Sequence, residues 1–327
     1  MTIDFNIVAI DKVTERRATR YAYADAIIEV GEDMPDVVVL DADVAKSIKT
    51  TAFAARFPER SFNFGIAEQN MMAAAAGMST CGLIPFASTY AVFASMRACE
   101  QVRTICYSRL NVKIAASHGG ITPGPDGVSH QGQEDMGIMR SFPHMTVIMP
   151  ADSAVVKKAV RAAAEWQGPV YLRFTREPVP TIFDDSYPFE IGKSVMVREG
   201  SDVTIIAIGD MVAYSLQAAD ILTQEGIEAR VIDMHTLKPL DEEAVLKAAE
   251  EAGAIVTAEN HVIATGLGSA VAEVLVENNP VPMKRIGIRD TFAESGPYPV
   301  LMKKYGMSEE HIVEAVEDVL ARRNGKR

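Results

Sequence analysis

A chain of 327 residues, 48% hydrophobic and 23% charged, has the length of about two domains and the balance of an ordinary globular protein, which excludes a fibrous or disordered architecture. Its 44 acidic against 32 basic residues give a net charge of −12, which disfavours nucleic acid or an anionic membrane as the main partner. Phosphorylated small molecules stay open, because they need only a few well-placed cations.

Along the chain, apolar β-branched runs alternate with helical patterns. Helices are expected near 18–31, 67–80, 88–108 and 152–166, and strands at 37–40, 112–116, 146–149 and 170–174. This βα alternation predicts a parallel sheet. The proline-bearing segment 177–188 then breaks the pattern, and the expected boundary lies there, giving domains 1–185 and 186–327. The alternation resumes with strands at 203–208, 229–233, 254–258 and 284–288 and helices near 212–225, 241–252, 267–278 and 309–323, which predicts a second, smaller α/β unit. Cys81, Cys99 and Cys106 form no Cys-x-x-Cys and are odd in number, so a reducing compartment fits. The N-terminus lacks a basic region followed by an apolar core, and no segment reaches the roughly 20 apolar residues of a membrane helix. A cytoplasmic location is the expectation.

Candidate chemistry concentrates in the stretch from Phe62 to Gln131. Glu68 stands where a first helical turn begins, a place that favours an ionised carboxylate and that many purely structural glutamates share. Tyr90 and Phe93, three apart at an expected helix start, would share a face. His118, Asp126 and His130 lie in a Gly/Pro-rich segment that cannot be regular helix. Two His and a carboxylate suit several metals, but their spacing follows no zinc pattern, so no metal ligands are assigned to this chain.

Taken together, Gly-Ile-Ala-Glu-Gln-Asn (65–70), Tyr90-Ala-Val-Phe93 and His118…Asp126-Gly-x-x-His130-Gln131 resemble the pyrimidine-binding domain of transketolases, a family of thiamine-diphosphate enzymes. The resemblance implies that Glu68 meets the pyrimidine ring of thiamine diphosphate and that Tyr90 and Phe93 pack on it. It implies that His118 and His130 contact the hydroxyls and carbonyl of a donor ketose, and that Asp126 accepts from a hydroxyl of the acceptor aldose. Arg20, Asp43 and Ser47 match a further set, in which Arg20 and Ser47 bind the substrate phosphate and Asp43 lines the site near the cofactor. Arg176 matches a second phosphate-binding arginine, with Arg173 as a competing candidate; a guanidinium fork meets phosphate oxygens two at a time. Thr257-Ala-Glu-Asn-His261, Gly266-Leu-Gly268-Ser269 and Asp290–Gly296 are similar to the transketolase C-terminal domain and are assigned to packing and subunit contact.

One family motif is missing. The cofactor's diphosphate and its divalent metal, Mg2+ or another, are held in the family by Gly-Asp-Gly with a later Asn, whereas the nearest string here is Gly209-Asp210-Met211, in the second half. The resemblance therefore implies a C-terminal subunit of a split transketolase, with an N-terminal partner subunit carrying the diphosphate and metal site, an assembly of two copies of each chain (α2β2), and sugar phosphates as substrates. Alternatives within the superfamily are a deoxyxylulose-phosphate synthase, in which an Asp-Arg pair tends to replace Ser117-His118, and a 2-oxo-acid dehydrogenase β subunit, which lacks the Arg20, Ser47 and Arg176 set. A transketolase for a modified sugar also stays open, because Pro125 precedes Asp126 where many relatives carry Glu. A non-catalytic paralogue would be expected to lose Glu68 or a loop histidine, and this chain has lost neither.

Overall fold

Runs of Val, Ile and Leu without polar alternation belong to strands covered on both faces, and that is how the chain folds. The computed structural model describes residue 3 and residues 5–325; residues 1, 2, 4, 326 and 327, at the outer limits of the two expected domains, lie outside the described residues. The first half comprises β1 (Arg16–Arg17), α1 (Thr19–Asp33), β2 (Val37–Asp41), α2 (Ala45–Ile48), α3 (Thr51–Arg56), β3 (Ser61–Asn63), α4 (Glu68–Thr80), β4 (Ile84–Tyr90), α5 (Cys99–Tyr107), β5 (Lys113–Ser117), α6 (Asp135–Ser141), β6 (Thr146–Ile148), α7 (Ser153–Glu165), β7 (Val170–Arg173) and β8 (Val179–Pro180). The second half continues with β9 (Val195–Arg198), β10 (Val203–Ala207), α8 (Met211–Gln224), β11 (Ala229–Asp233), β12 (Thr236–Lys238), α9 (Glu242–Ala252), β13 (Ile255–Val262), α10 (Leu267–Asn278), β14 (Met283–Ile288), α11 (Tyr298–Lys304) and α12 (Glu309–Arg323).

Two large sheets carry the molecule, and β1 and β8 pair antiparallel as a third, two-stranded one. The first has the order β12-β6-β7-β5-β4-β2-β3, parallel except for β12, and the second has the order β14-β13-β10-β11-β9, parallel except for β9. The α/β class with two parallel-sheet units is therefore what the structure holds. Strand β12 belongs by sequence to the second half but pairs with β6 of the first sheet, and Lys238 fixes it there by donating to the carbonyls of Arg140 (2.8 Å) and Phe142 (2.6 Å). The halves also share a core. Val38, Leu40, Met71 and Ile114 of the first pack in one cluster with Leu237, Val245, Leu267 and Val271 of the second. On the opposite face of the first sheet, α1 and α7 bury Tyr23, Ile27, Val156 and Val160 together. Helix α7 begins on Asp152, whose Oδ1 accepts from the amides of Ala154 and Val155, while Oδ2 accepts from Ile182 and Phe183 and so ties the proline-bearing segment to the same cap.

One expected element is corrected. The helix expected over 88–108 is the end of β4, then a π-helical turn over Phe93–Arg97, then α5. Tyr90 therefore closes a strand, and it does not share a helix face with Phe93. The sequence Ile-Pro-Phe-Ala-Ser-Thr-Tyr hides the strand because alanine and proline dilute its β-branched residues, yet β4 lies between β2 and β5 in the interior of the sheet.

Candidate active site

The parallel strands of the first sheet all end at one edge, the place where open α/β folds bind ligands. The sequence-derived residues emerge there in turn. Asp43 and Ser47 follow β2, Glu68 follows β3, Tyr90 closes β4, His118 follows β5 and Arg176 follows β7.

Glu68 is 1% exposed at the first turn of α4. A buried carboxylate needs a partner, and Arg97 is that partner: its Nη1 reaches Oε1 and Oε2 of Glu68 at 2.8 and 2.9 Å. The guanidinium lies over the Phe93 ring, 4.3 Å from its centroid. Both residues sit in the π-helical turn, an insertion often found at functional sites, and it brings Arg97 back onto a residue 29 positions earlier. No spacing in the sequence signals this pair. From Phe93 a run of rings leads inward: Tyr90 lies 5.6 Å from Phe93 and stacks on His118 at 3.8 Å, and His130 lies 5.8 Å from Tyr90 and 5.7 Å from Phe93. Carboxylate and aromatic shelf together suit a flat heterocycle carrying a hydrogen-bonding ring nitrogen, such as an aminopyrimidine.

His118 is buried, adopts a left-handed backbone (φ 66°) and places Nδ1 2.6 Å from Ser117 Oγ. Burial pushes its pKa down to about 2, with Arg20, Arg176 and His130 acting in the same direction. The imidazole is thus neutral at physiological pH and serves as a hydrogen-bonding group with no charge of its own. Arg20 donates from Nη1 to the Ser47 carbonyl (3.0 Å) and reaches Ser47 Oγ at 3.4 Å. Burial lowers the pKa of Arg20, and Arg176 contributes in the same direction, so two guanidinium groups converge near His118. The Nε of Arg20 is buried and has no partner among the described residues. A positive pair with an unused donor suits a tetrahedral oxyanion.

Arg176 donates to the Pro123 carbonyl and to Glu177, both within 3.1 Å, and forms an ion pair with Asp126 at 3.4 Å. Asp126 is thus held by an arginine of the same edge. Asp43 stands apart: it is exposed and left-handed (φ 61°), and its amide donates to Asn63. Arg173, the competing candidate, is fully buried. Its fork grips Asp135, with Nε and Nη2 each 2.9 Å from a carboxylate oxygen, and also donates to the carbonyls of Gly132 and Asn260. It is a structural arginine. Among the described residues no group of His, Cys, Asp and Glu side chains converges as a metal site, and no helix is long and apolar enough to cross a membrane.

Comparison with known proteins identifies the family. The transketolase pyrimidine-binding domain matches over residues 15–181, and the transketolase C-terminal domain over residues 192–312. The chain is 45% identical to a transketolase C-terminal section of Methanocaldococcus jannaschii, covering 92% of this chain and 95% of the relative. It is 43% identical to the 6-deoxy-6-sulfo-D-fructose transketolase subunit of Clostridium sp. strain MSTE9, covering 95% and 97%. A solved structure described as a split-gene transketolase in an inactive β4 tetramer superposes with a TM-score of 0.88 at 52% identity, covering 94% of this chain and 99% of that one. The chain belongs to the transketolase family of thiamine-diphosphate enzymes, as a C-terminal section holding the pyrimidine-binding and C-terminal domains.

Proposed function

We propose that this chain is the C-terminal subunit of a split transketolase, a transferase that moves a two-carbon ketol unit from a ketose phosphate to an aldose phosphate and is active only with an N-terminal partner subunit. The observation that carries the reading is one continuous strip at the sheet edge: buried Glu68, the rings of Tyr90 and Phe93, neutral His118, and the Arg20 and Arg176 pair. Bound thiamine diphosphate supplies the nucleophilic carbon and holds the electrons of the cleaved carbon–carbon bond. Glu68 orients the pyrimidine through its ring nitrogen, Tyr90 and Phe93 form the shelf beneath it, and Asp43 lines its approach. His118 and His130 hydrogen-bond the donor's carbonyl and hydroxyls, Asp126 receives an acceptor hydroxyl, and Arg20, Ser47 and Arg176 bind the anionic end of the sugar.

The diphosphate and Mg2+, or another divalent metal, belong in this reading to the partner subunit, within a cytoplasmic α2β2 assembly. The absence of Gly-Asp-Gly from this sequence supports that division of labour, as does the inactive β4 state of the split-gene relative. We place the working units at residues 1–185 and 186–327. A second reading keeps the chemistry and changes the sugar. The relative that acts on a sulfo-sugar supports it, as does Pro125 before Asp126, and two guanidinium groups suit a sulfonate as well as a phosphate. Glu68→Gln in the reconstituted complex tests the central assignment. Exchange of the thiazolium proton is expected to slow by orders of magnitude; unchanged exchange removes Glu68 from the mechanism.

A further inference from the structure

The loop bearing His118, Asp126 and His130 is fastened from outside its own domain. Its two stems pair with each other, Gly120 donating to the Gly132 carbonyl (2.6 Å) and Gly132 to the His118 carbonyl (3.3 Å). On the first-domain side Arg173 donates to Gly132, and Gly119 to the Phe174 carbonyl. The other side is built by the second domain. Asn260 at the end of β13 accepts the amide of Ile121 on its Oδ1 (3.0 Å), and its carbonyl accepts from Arg173 (3.1 Å). The amide of Val262 donates to the Gln133 carbonyl (2.9 Å). Next to the stem Gln131 donates to the Glu294 carbonyl, and nearer the loop's tip the amide of Gly296 donates to the Gly124 carbonyl.

Asn260 is the centre of this clamp. It is fully buried, and its Nδ2 donates to Asp210 Oδ2 at 2.9 Å, an oxygen that also accepts from the Tyr298 hydroxyl. That bond fixes the amide orientation, leaving Oδ1 free to take Ile121. Gly120 has φ +60°, and a Cβ there would stand 2.2 Å from Asn260 Oδ1, so the loop and the asparagine are fitted at backbone distance. His118 directly precedes this stem. Its left-handed backbone persists only where neighbours over-determine it, and the stem that does so is the one Asn260 holds.

We infer that Asn260 is a positioning residue for sugar recognition, through which the second domain sets the conformation of the 118–132 loop. The inference rests on the reading that this loop faces the sugar. It gives the second domain a part in substrate recognition, beyond the packing and subunit contact expected of the Thr257–His261 segment.

The test uses the reconstituted two-subunit enzyme with Asn260→Ala, Asn260→Asp, and the exchange Asn260→Asp with Asp210→Asn. The exchange restores the bond with its polarity reversed, since Asn at 210 then donates to Asp at 260, which still accepts from Ile121. Asn260→Ala is expected to accelerate hydrogen exchange of the 119–132 amides and to raise the KM of the donor sugar at least tenfold, with thiamine diphosphate affinity unchanged. Asn260→Asp alone, which sets two carboxylates together, is expected to share the defect, and the exchange to recover most of it. Faster loop exchange with unaltered KM would overturn the sugar-facing reading and leave the clamp standing. A raised KM without faster loop exchange, or an assembled exchange variant that recovers neither, would overturn the clamp. If Asn260→Ala does not assemble, the two isosteric variants decide the same question.

Discussion

Arg20 offers the sharpest quantitative test of the anion-binding end of the site. Its Nη1 is committed to Ser47, while its buried Nε has no partner among the described residues and no hydrogen bond from its Nη2 is found among them, so it has at least one charged donor to give to a substrate oxyanion. A hydrogen bond to a charged group contributes about 1.5–3 kcal/mol, so its loss lowers kcat/KM by about 10- to 150-fold. Arg20→Met keeps the aliphatic bulk beside Tyr21 and removes the donor. The assay compares kcat/KM of the reconstituted enzyme for a ketose phosphate and for the same ketose without phosphate. The loss is expected for the phosphorylated donor and to be several-fold or less for the other. An equal loss for both would refute the assignment and make Arg20 a residue of the site's framework.

Two further predictions concern the buried charges. Arg173→Met leaves Asp135 buried with the Tyr171 hydroxyl and, at 3.9 Å, the His261 ring, but without its guanidinium, and removing one partner of such a pair is expected to cost about 3–5 kcal/mol of unfolding free energy; a urea titration showing a loss under 1 kcal/mol contradicts this. Burial raises the Asp233 carboxyl to about 8, against the hydrogen bond from Tyr187, which acts to lower it. Because the folded value lies above the unfolded one, this contribution to stability is complete below about pH 4 and is lost as pH rises through 8. Asp233→Asn carries an amide where the protonated acid carries its O–H, so it is expected to match the parent near pH 4 and to gain about 1.4 kcal/mol on it per pH unit up to 8. A gap that does not vary with pH would show that Asp233 is ionised in the folded state.

The sequence carried the α/β alternation because parallel strands buried on both faces read as unbroken apolar runs, as in β2 and β10. It concealed β4, whose alanine and proline dilute the strand signal, and the short antiparallel edges β9 and β12, which are too brief to show a period. The site followed from motif resemblance, since Glu68 alone reads more readily as a first-turn carboxylate. Arg97, and the part played by Asn260 within a segment read as packing and subunit contact, were invisible for a different reason. Each acts through a contact with a distant residue, Glu68 across 29 positions and Ile121 across 139, and no local pattern encodes such a pairing.

The central claim is that this chain supplies one half of a thiamine-diphosphate site. Its most direct test is ketol transfer from xylulose 5-phosphate to ribose 5-phosphate, measured with thiamine diphosphate and Mg2+ for the purified chain alone and for the chain co-purified with its native partner. The account predicts no transfer by the chain alone and transfer by the complex. Transfer by the single chain, or a partnered complex that binds no thiamine diphosphate, would contradict it.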